Sequence, residues 1–414
     1  MLSHLLLGLL GVAGYSGDSL AEQVARVVRD VRDAEAAGPA ATMLAKLGAG
    51  AMPELLDLLE SGTVPAAGID AGTIVLGAPA REAMVRAFAL LPVERARTLL
   101  GSAAGVEAPA TRRRAVLEAF AGFARVEDLA VILRTAQPQG STPVDSRTGL
   151  ALESAVLGAL RRDPGTYPRL EKEIPRASGD LRIHLVRCLG NAACDEAMRT
   201  LAGLFGLDPQ LDILLVSAIG QTARGLTPEA LEEAAFEMEW YIHSSDPALQ
   251  RVAVLCAGKL RDSRFVPALV TMLQNGDPVL RQSAHWSVRQ ITGLSFGPAP
   301  DRWRAWFERE QRWWAEDHPD LREMLASTDS EKVADAVSQM ASKCLEREVL
   351  STDLLPLLDH HDPGLRFLAC SALGQLRQRT AISRLTEALH DPDPDVAAGA
   401  RLALDRIAEE APPR

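Results

Sequence analysis

Along most of the chain, apolar residues recur three or four positions apart, which is the spacing of amphipathic helices rather than of strands. The runs LRIHLVRCLG, LDILLVSAIG, LQRVAVLCAG and LRFLACSALG form the clearest series. Each opens on a leucine and reaches a glycine nine residues later: Leu181 to Gly190, Leu211 to Gly220, Leu249 to Gly258, and Leu365 to Gly374. A further fifteen residues lead from Gly190 to Phe205, from Gly258 to Leu273 and from Gly374 to Leu389, across a second apolar-periodic stretch. The predicted unit is a helix, a turn marked by the glycine, a second helix and a short connection. Glycine suits the left-handed backbone after a helix C-terminus, because it has no Cβ to clash there.

Helix starts carry their own signal. Asp246-Pro247, Asp277-Pro278, Asp362-Pro363 and Asp393-Pro394 each precede an apolar-periodic run, and Asp208-Pro209 is a further copy. Aspartate at the N-cap accepts orphan backbone N–H groups, and proline is preorganised for the first helical turn. Both Asp246 to Asp277 and Asp362 to Asp393 span 31 residues, a repeat period. Weaker copies are expected at 44–59, 81–100, 111–135 and 150–174, giving about ten pairs with 396–407 as a final single helix. Short helices are marginal alone, so each pair must cover its apolar face with its neighbours.

This pattern resembles the HEAT repeat, in particular the short bacterial variety also found in phycobilisome-lyase-like proteins. The resemblance is specific over 181–291 and 362–407. It implies an all-α fold, a right-handed α-solenoid of about ten stacked antiparallel helix pairs, whose second helices line a concave face. Residues 18–176 are expected to hold degenerate repeats, 177–291 regular ones, 292–320 a Trp-rich insertion with a long helix, and 321–410 the C-terminal repeats and cap. Residues 1–17 are expected to be either a secretory signal segment or an apolar first helix. The run LLLGLLGVAG at 5–14 has the apolar core of a signal, but no Lys or Arg precedes it. The compartment stays open between exported and cytoplasmic.

Interruptions in repeat arrays collect on loops. Residues 62–80 and 137–147, rich in Gly, Ala, Pro and Ser, are expected as surface loops. The largest departure is 292–319, and five of the six tryptophans lie between Trp286 and Trp314. Trp303, Trp306, Phe307, Trp313 and Trp314 fall on one helical face. That face is either a wide apolar docking surface for a long helix or an aromatic interface.

Composition narrows the partners. Acids outnumber bases 55 to 44, for a net charge of −11 and a pI of about 5.3. Gripping a phosphate backbone calls for a basic excess, so nucleic acid is not expected. The basic triplet Arg112, Arg113 and Arg114 reads as a solvated helix face. No stretch reaches the ~20 apolar residues of a membrane span. Arginine outnumbers lysine 39 to 5, which fits a GC-rich bacterial genome. The five cysteines lack CxxC spacing, and Cys188, Cys256 and Cys370 sit in apolar helical runs as small hydrophobes.

Candidate chemistry is thin. Gly293-Leu294-Ser295-Phe296-Gly297 matches the G-x-S-x-G string of esterases, which need the serine on a strand-to-helix turn; here it follows a helix. His360, His361 and Asp362, with His390, Asp391, Asp393 and Asp395, could be drawn as a metal set. Asp362 and Asp393 are already required as caps, and the calcium-loop glycine and distal glutamate are missing. Among enzymatic HEAT families, deoxyhypusine hydroxylases hold iron with His-Glu motifs, and this chain has no His-Glu dipeptide. HEAT-type DNA glycosylases use a basic groove, which the acidic balance opposes. The expectation is therefore a non-catalytic scaffold without catalytic, metal or cofactor residues and with no cofactor, binding a protein or peptide along its concave face. Arg199, Arg264, Thr271, Arg384 and Glu387, on second helices, are the expected partner-binding positions. The alternatives are a HEAT-type enzyme or phycobilin-lyase-like protein, and an envelope-associated adaptor.

Overall fold

A computed structural model describes residues 18–66, 72–105, 107–137, 143–177 and 179–410. The apolar run at 5–14 lies outside the described residues. The described residues fold as an all-α solenoid in two compact units, one holding those up to Ala192 with Glu196–Asp208, the other Ala193–Asp195 and those from Pro209 onward.

The first unit opens with α1 (Leu20–Arg29), started by a capping box in which Ser19 and Glu22 satisfy each other's backbone N–H groups. Helix pairs follow: α2 (Ala34–Lys46) and α3 (Met52–Ser61), α4 (Ala78–Leu90) and α5 (Val93–Ala103), then α6 (Ala110–Phe120) and α7 (Leu129–Ala136). Next come α8 (Ser146–Arg162) and α9 (Thr166–Glu173), then α10 (Gly179–Ala192) and α11 (Asp195–Ala202). The first helix of each pair packs on the first helix of the next, from α2 through α4, α6 and α8 to α10. Small aliphatic side chains fill these layers, with Phe88 and Phe120 as the bulkiest fully buried groups.

Residues 62–80, expected as a loop, are in part a hairpin. Strand β1 (Thr63–Pro65) pairs antiparallel with β2 (Thr73–Val75), Val64 opposite Ile74. Val64 is buried, and this anchors the strand beneath α1. Each strand has three residues, too few for alternation to show in the sequence.

The second unit repeats the scheme with α12 (Pro209–Thr222) and α13 (Pro228–Tyr241), α14 (Pro247–Leu260) and α15 (Val266–Met272), and α16 (Pro278–Thr292) and α17 (Pro300–Arg312). A π-helical turn, Trp313–Asp317, carries α17 directly into α18 (His318–Met324). Then come α19 (Ser330–Ala341) and α20 (Arg347–Leu354), α21 (Pro363–Leu376) and α22 (Ile382–Ala388), and the single helix α23 (Pro394–Glu410). First helices again stack, α12 on α14 on α16 and α19 on α21 on α23. Among the described residues no helix is long and apolar enough to cross a membrane.

The predicted aspartate caps are in place. Asp246 accepts from Ala248 N–H at 2.8 Å, Asp277 from Val279 at 2.8 Å, Asp362 from Gly364 at 2.8 Å and Asp393 from Asp395 at 2.9 Å. Asp329, without a following proline, caps α19 in the same way (Glu331 N–H at 3.1 Å).

The glycines do something other than turn the chain. Gly190, Gly220, Gly258 and Gly374 lie inside α10, α12, α14 and α21. The left-handed residues that end α14 and α21 are Arg261 (φ 59°) and Arg377 (φ 56°), three positions further on. At Gly258 a Cβ would stand 2.8 Å from both Cα and Cβ of Ser287 on α16. At Gly374 it would stand 2.8 Å from Cα of Ala403 on α23. Glycine is selected because first helices approach one another too closely for any side chain at the crossing. Ser287 uses the same proximity to donate an interhelical hydrogen bond to the Val254 carbonyl at 2.7 Å.

Candidate functional site

The tryptophan helix is core. Trp303 is fully buried and donates from Nε1 to the Gly297 carbonyl at 2.9 Å; Trp306 and Trp313 are also buried, while Phe307 and Trp314 are half-buried. Phe296 and Trp306 meet the Trp303 ring edge-on, at 5.0 and 5.8 Å between centroids. Lys343 caps the face of Trp313 at 4.1 Å while pairing with the buried Glu310 at 3.2 Å.

The residues that suggested chemistry carry structural bonds. Ser295 is exposed in the connection between α16 and α17, with no strand before it. His285, on the preceding helix, has Nε2 3.0 Å from the Phe296 carbonyl oxygen, so its ring is tied to backbone. Asp362 and Asp393 are caps, and the His360 ring accepts the Asp362 N–H at 3.1 Å. Asp391 accepts from Nε and Nη2 of Arg366, both at 2.8 Å, and from the Asp393 N–H at 2.9 Å. The Arg366 hydrogen bond holds the Asp391 carboxyl below its ordinary value. Arg182 makes the matching contact to Asp208 at 2.8 Å, and it also donates back to the Ala177 carbonyl. Arg182 and Arg366 thus lace α10 and α21 to the connection before them, through the Ala177 and His360 carbonyls, and to the one after the following helix, through Asp208 and Asp391. Among the described residues no group of three or more His, Cys, Asp or Glu could hold a metal ion.

Other polar clusters escaped the sequence reading because their members are 30 or more residues apart. Glu153, buried on α8, lies 2.6 Å from His184 Nδ1 and accepts from Arg187 at 3.0 Å. The nearby Cys188 thiol is pushed well above its ordinary value by burial first and Glu153 second, which keeps it un-ionised and unreactive. Arg97 clasps Asp128 through Nε and Nη2 (2.7 and 3.1 Å) and reaches Glu94 and Glu127 as well. Two of the basic triplet are engaged too: Arg112 pairs with Asp57 and Glu60, and Arg114 with Glu118.

The expected partner-binding residues divide between the units. Arg199 is exposed on α11 in the first unit. In the second, Arg264 is exposed and pairs with Asp262 at 2.9 Å, while the Thr271 hydroxyl donates to the Pro267 carbonyl at 3.0 Å. Arg384 is half-buried on α22, held by Asp359 and by the exposed Glu387 (3.2 Å). A shallow hollow of about 480 Å³ on α23 is lined by Ala397, Ala398, Arg401, Leu402 and Asp405.

The most exposed aromatic side chains lie elsewhere. On α13, Ala230, Ala234, Met238 and the following Ile242 form the buried stripe at four-residue spacing. Phe236 and Trp240 fall half a turn out of phase with it and are 61% and 80% exposed. Trp240 is the one tryptophan outside the 286–314 cluster. Its register against the Ala/Met stripe was the signal available.

Stacked helix pairs, first helix on first helix with aspartate-capped starts, define a protein of the α-solenoid repeat class. A family model described as HEAT repeats matches residues 318–405. No curated protein matches. Among solved structures, human deoxyhypusine hydroxylase is similar at 17% identity over 69% of this chain and 97% of its own, with a TM-score of 0.27. YibA of Escherichia coli is similar at 13% identity over 71% and 96%, TM-score 0.32. The karyopherin Kap121p bound to the extreme C-terminus of the phosphatase Cdc14p is similar at 12% identity over 98% and 48%, TM-score 0.41. The chain thus spans about half the length of that karyopherin. These likenesses extend to architecture alone.

Proposed function

We propose that this chain is a non-catalytic HEAT-repeat scaffold that binds a protein or peptide partner through exposed faces of its second helices. The observation that carries the reading is α13, a second helix that keeps Phe236 and Trp240 in solvent while its small residues face the core. Aromatic side chains are the commonest anchors of protein interfaces, and a monomer gains nothing from leaving an indole 80% exposed. The polar residues that could have supplied chemistry serve instead as caps and ion pairs, which supports a binding role over a catalytic one. Arg199, Thr271, Arg384 and Glu387 on second helices, with Arg264 in the 3-10 turn that leads into α15, are proposed as further contacts. Nucleic acid is an unfavoured partner for a chain of net charge −11.

The test is affinity capture with the full chain from native lysate, followed by mass spectrometry and native mass measurement of the eluate. A protein partner recovered at fixed stoichiometry is expected. Recovery of a stoichiometric metal or small molecule, with no protein partner, would overturn the scaffold reading in favour of an enzyme or lyase.

A further inference from the structure

Along the chain, the charge flanking the α13 aromatics is one-signed. From Gly225 to Gln250 there are six carboxylates and no lysine or arginine. Glu229, Glu233 and Glu237 follow one another at four-residue spacing and form a stripe; Glu232, Phe236 and Trp240 form the adjacent one. All six of these side chains are exposed, as is Glu239. Like charges at this spacing repel, and the sequence of α13 itself holds no lysine or arginine. Glu237 and Glu239 also sit in the last turns, where the helix dipole disfavours negative charge. The Tyr241 phenol beside them is pushed up to about 12, by burial first and then by Asp212 and Glu237. A cation laid across the helix would relieve the repulsion among the exposed carboxylates.

We infer that the outer face of α13 docks a cationic peptide segment, setting an apolar or arginine side chain against Phe236 and Trp240 between flanking lysines or arginines. This deepens the scaffold reading and rests on it. The aromatic pair supplies desolvated anchor area and, for arginine, the face of an indole. The glutamates lie within one Debye length, about 10 Å at 0.1 M salt, of anything seated there. An anionic or neutral partner would meet the same ring pair and none of the electrostatic gain, so charge selects the occupant.

The probe is a set of fluorescein-labelled peptides of about twelve residues, each with a central Leu, Trp or Arg flanked by Lys and Arg. A matched set carries Glu in the flanks. Both are titrated by anisotropy against the full chain and against Trp240→Ala, Phe236→Ala and the double variant Glu232→Lys/Glu237→Lys. Cationic peptides are expected to bind the wild type and the acidic set not to bind. Binding is expected to weaken about 30-fold in Trp240→Ala, to be lost in the double lysine variant, and to weaken as salt rises. Trp240→Ala is expected to keep its helical circular dichroism and melting temperature, because the ring is exposed. Equal binding of both peptide sets, an unchanged affinity in Trp240→Ala, or no cationic binding at about 100 μM would overturn the proposal. So would wild-type self-association that Trp240→Ala abolishes, which would assign the face to a second copy. If Trp240→Ala still captures the same lysate partner as wild type, this docking face is wrong and the scaffold reading survives. If neither peptide nor lysate partner binds the wild type, both fall.

Discussion

Replacing Gly258 with alanine separates two explanations for the repeating glycine. In an open helix, Gly→Ala stabilises by ~1 kcal/mol, because alanine is the best helix former and restricts the unfolded chain. At Gly258, however, the new Cβ would lie 2.8 Å from Ser287 Cα and Cβ, and carbon atoms pack best at ~3.5–4.0 Å. The obstacle includes backbone and cannot rotate away, so α14 and α16 must separate by roughly 0.7–1 Å. Overpacking of this kind costs ~1–3 kcal/mol, and stretching the buried Ser287–Val254 hydrogen bond adds ~1 kcal/mol. After the helix gain is subtracted, a net loss of about 1–3 kcal/mol is expected. For a unit of about 200 residues that is a fall in melting temperature of roughly 3–10 °C. Gly101 on α5 is the internal control: a Cβ there meets nothing within 4 Å, so Gly101→Ala should raise stability by ~0.5–1 kcal/mol. The assay is differential scanning calorimetry of the two variants beside wild type, with hydrogen exchange locating the change. Gly258→Asn completes the set, since asparagine tolerates a left-handed turn but not a closed helix crossing. A Gly258→Ala protein as stable as wild type, or a Gly258→Asn protein more stable than Gly258→Ala, would refute close packing as the reason for glycine.

The remaining predictions use the same measurements. Arg261 and Arg377 hold left-handed backbone at helix ends, so Arg261→Gly should stabilise by up to ~1 kcal/mol, less whatever its side-chain contacts contribute; urea midpoints read this out. Trp303→Ala should cost ~3–5 kcal/mol and melt the second unit early, whereas Trp240→Ala should move stability by less than ~0.5 kcal/mol, although both remove an indole. Because the Asp391 carboxyl is held below its unfolded value by Arg366, its contribution is present above the unfolded pKa and lost as pH falls through the folded one. Asp391→Asn should therefore lower the melting temperature at neutral pH and flatten its decline below about pH 4, as a melting series across pH would show.

The architecture was legible because its signals are local. A 3.6-residue apolar period and an aspartate two residues from the backbone N–H it caps lie within a turn or two of chain, and the 31-residue spacing from Asp246 to Asp277 repeats them. The aspartate caps, the stacked pairs and the final helix around residues 396–407 follow from them. Buried Cys188, Cys256 and Cys370 follow as well, each on an apolar stripe.

What remained for the tertiary structure were matters settled between distant segments. A glycine near a helix end has the same letter whether it turns the chain or admits a neighbour, and only the position of Ser287 beside Gly258 decides which. The hairpin of Thr63–Pro65 and Thr73–Val75 exists through pairing, which three-residue strands cannot announce. The tryptophan helix reads as core or interface until Phe296, Gly297 and Lys343 close around it. Arg97 meets Asp128 across 31 residues of intervening chain. The sequence alone determined which residues form helices and where those helices begin, because period and capping act over a few turns. Which glycines, aromatics and charges face a neighbour and which face water was decided by helix packing, since exposure belongs to a residue's surroundings and not to its own side chain.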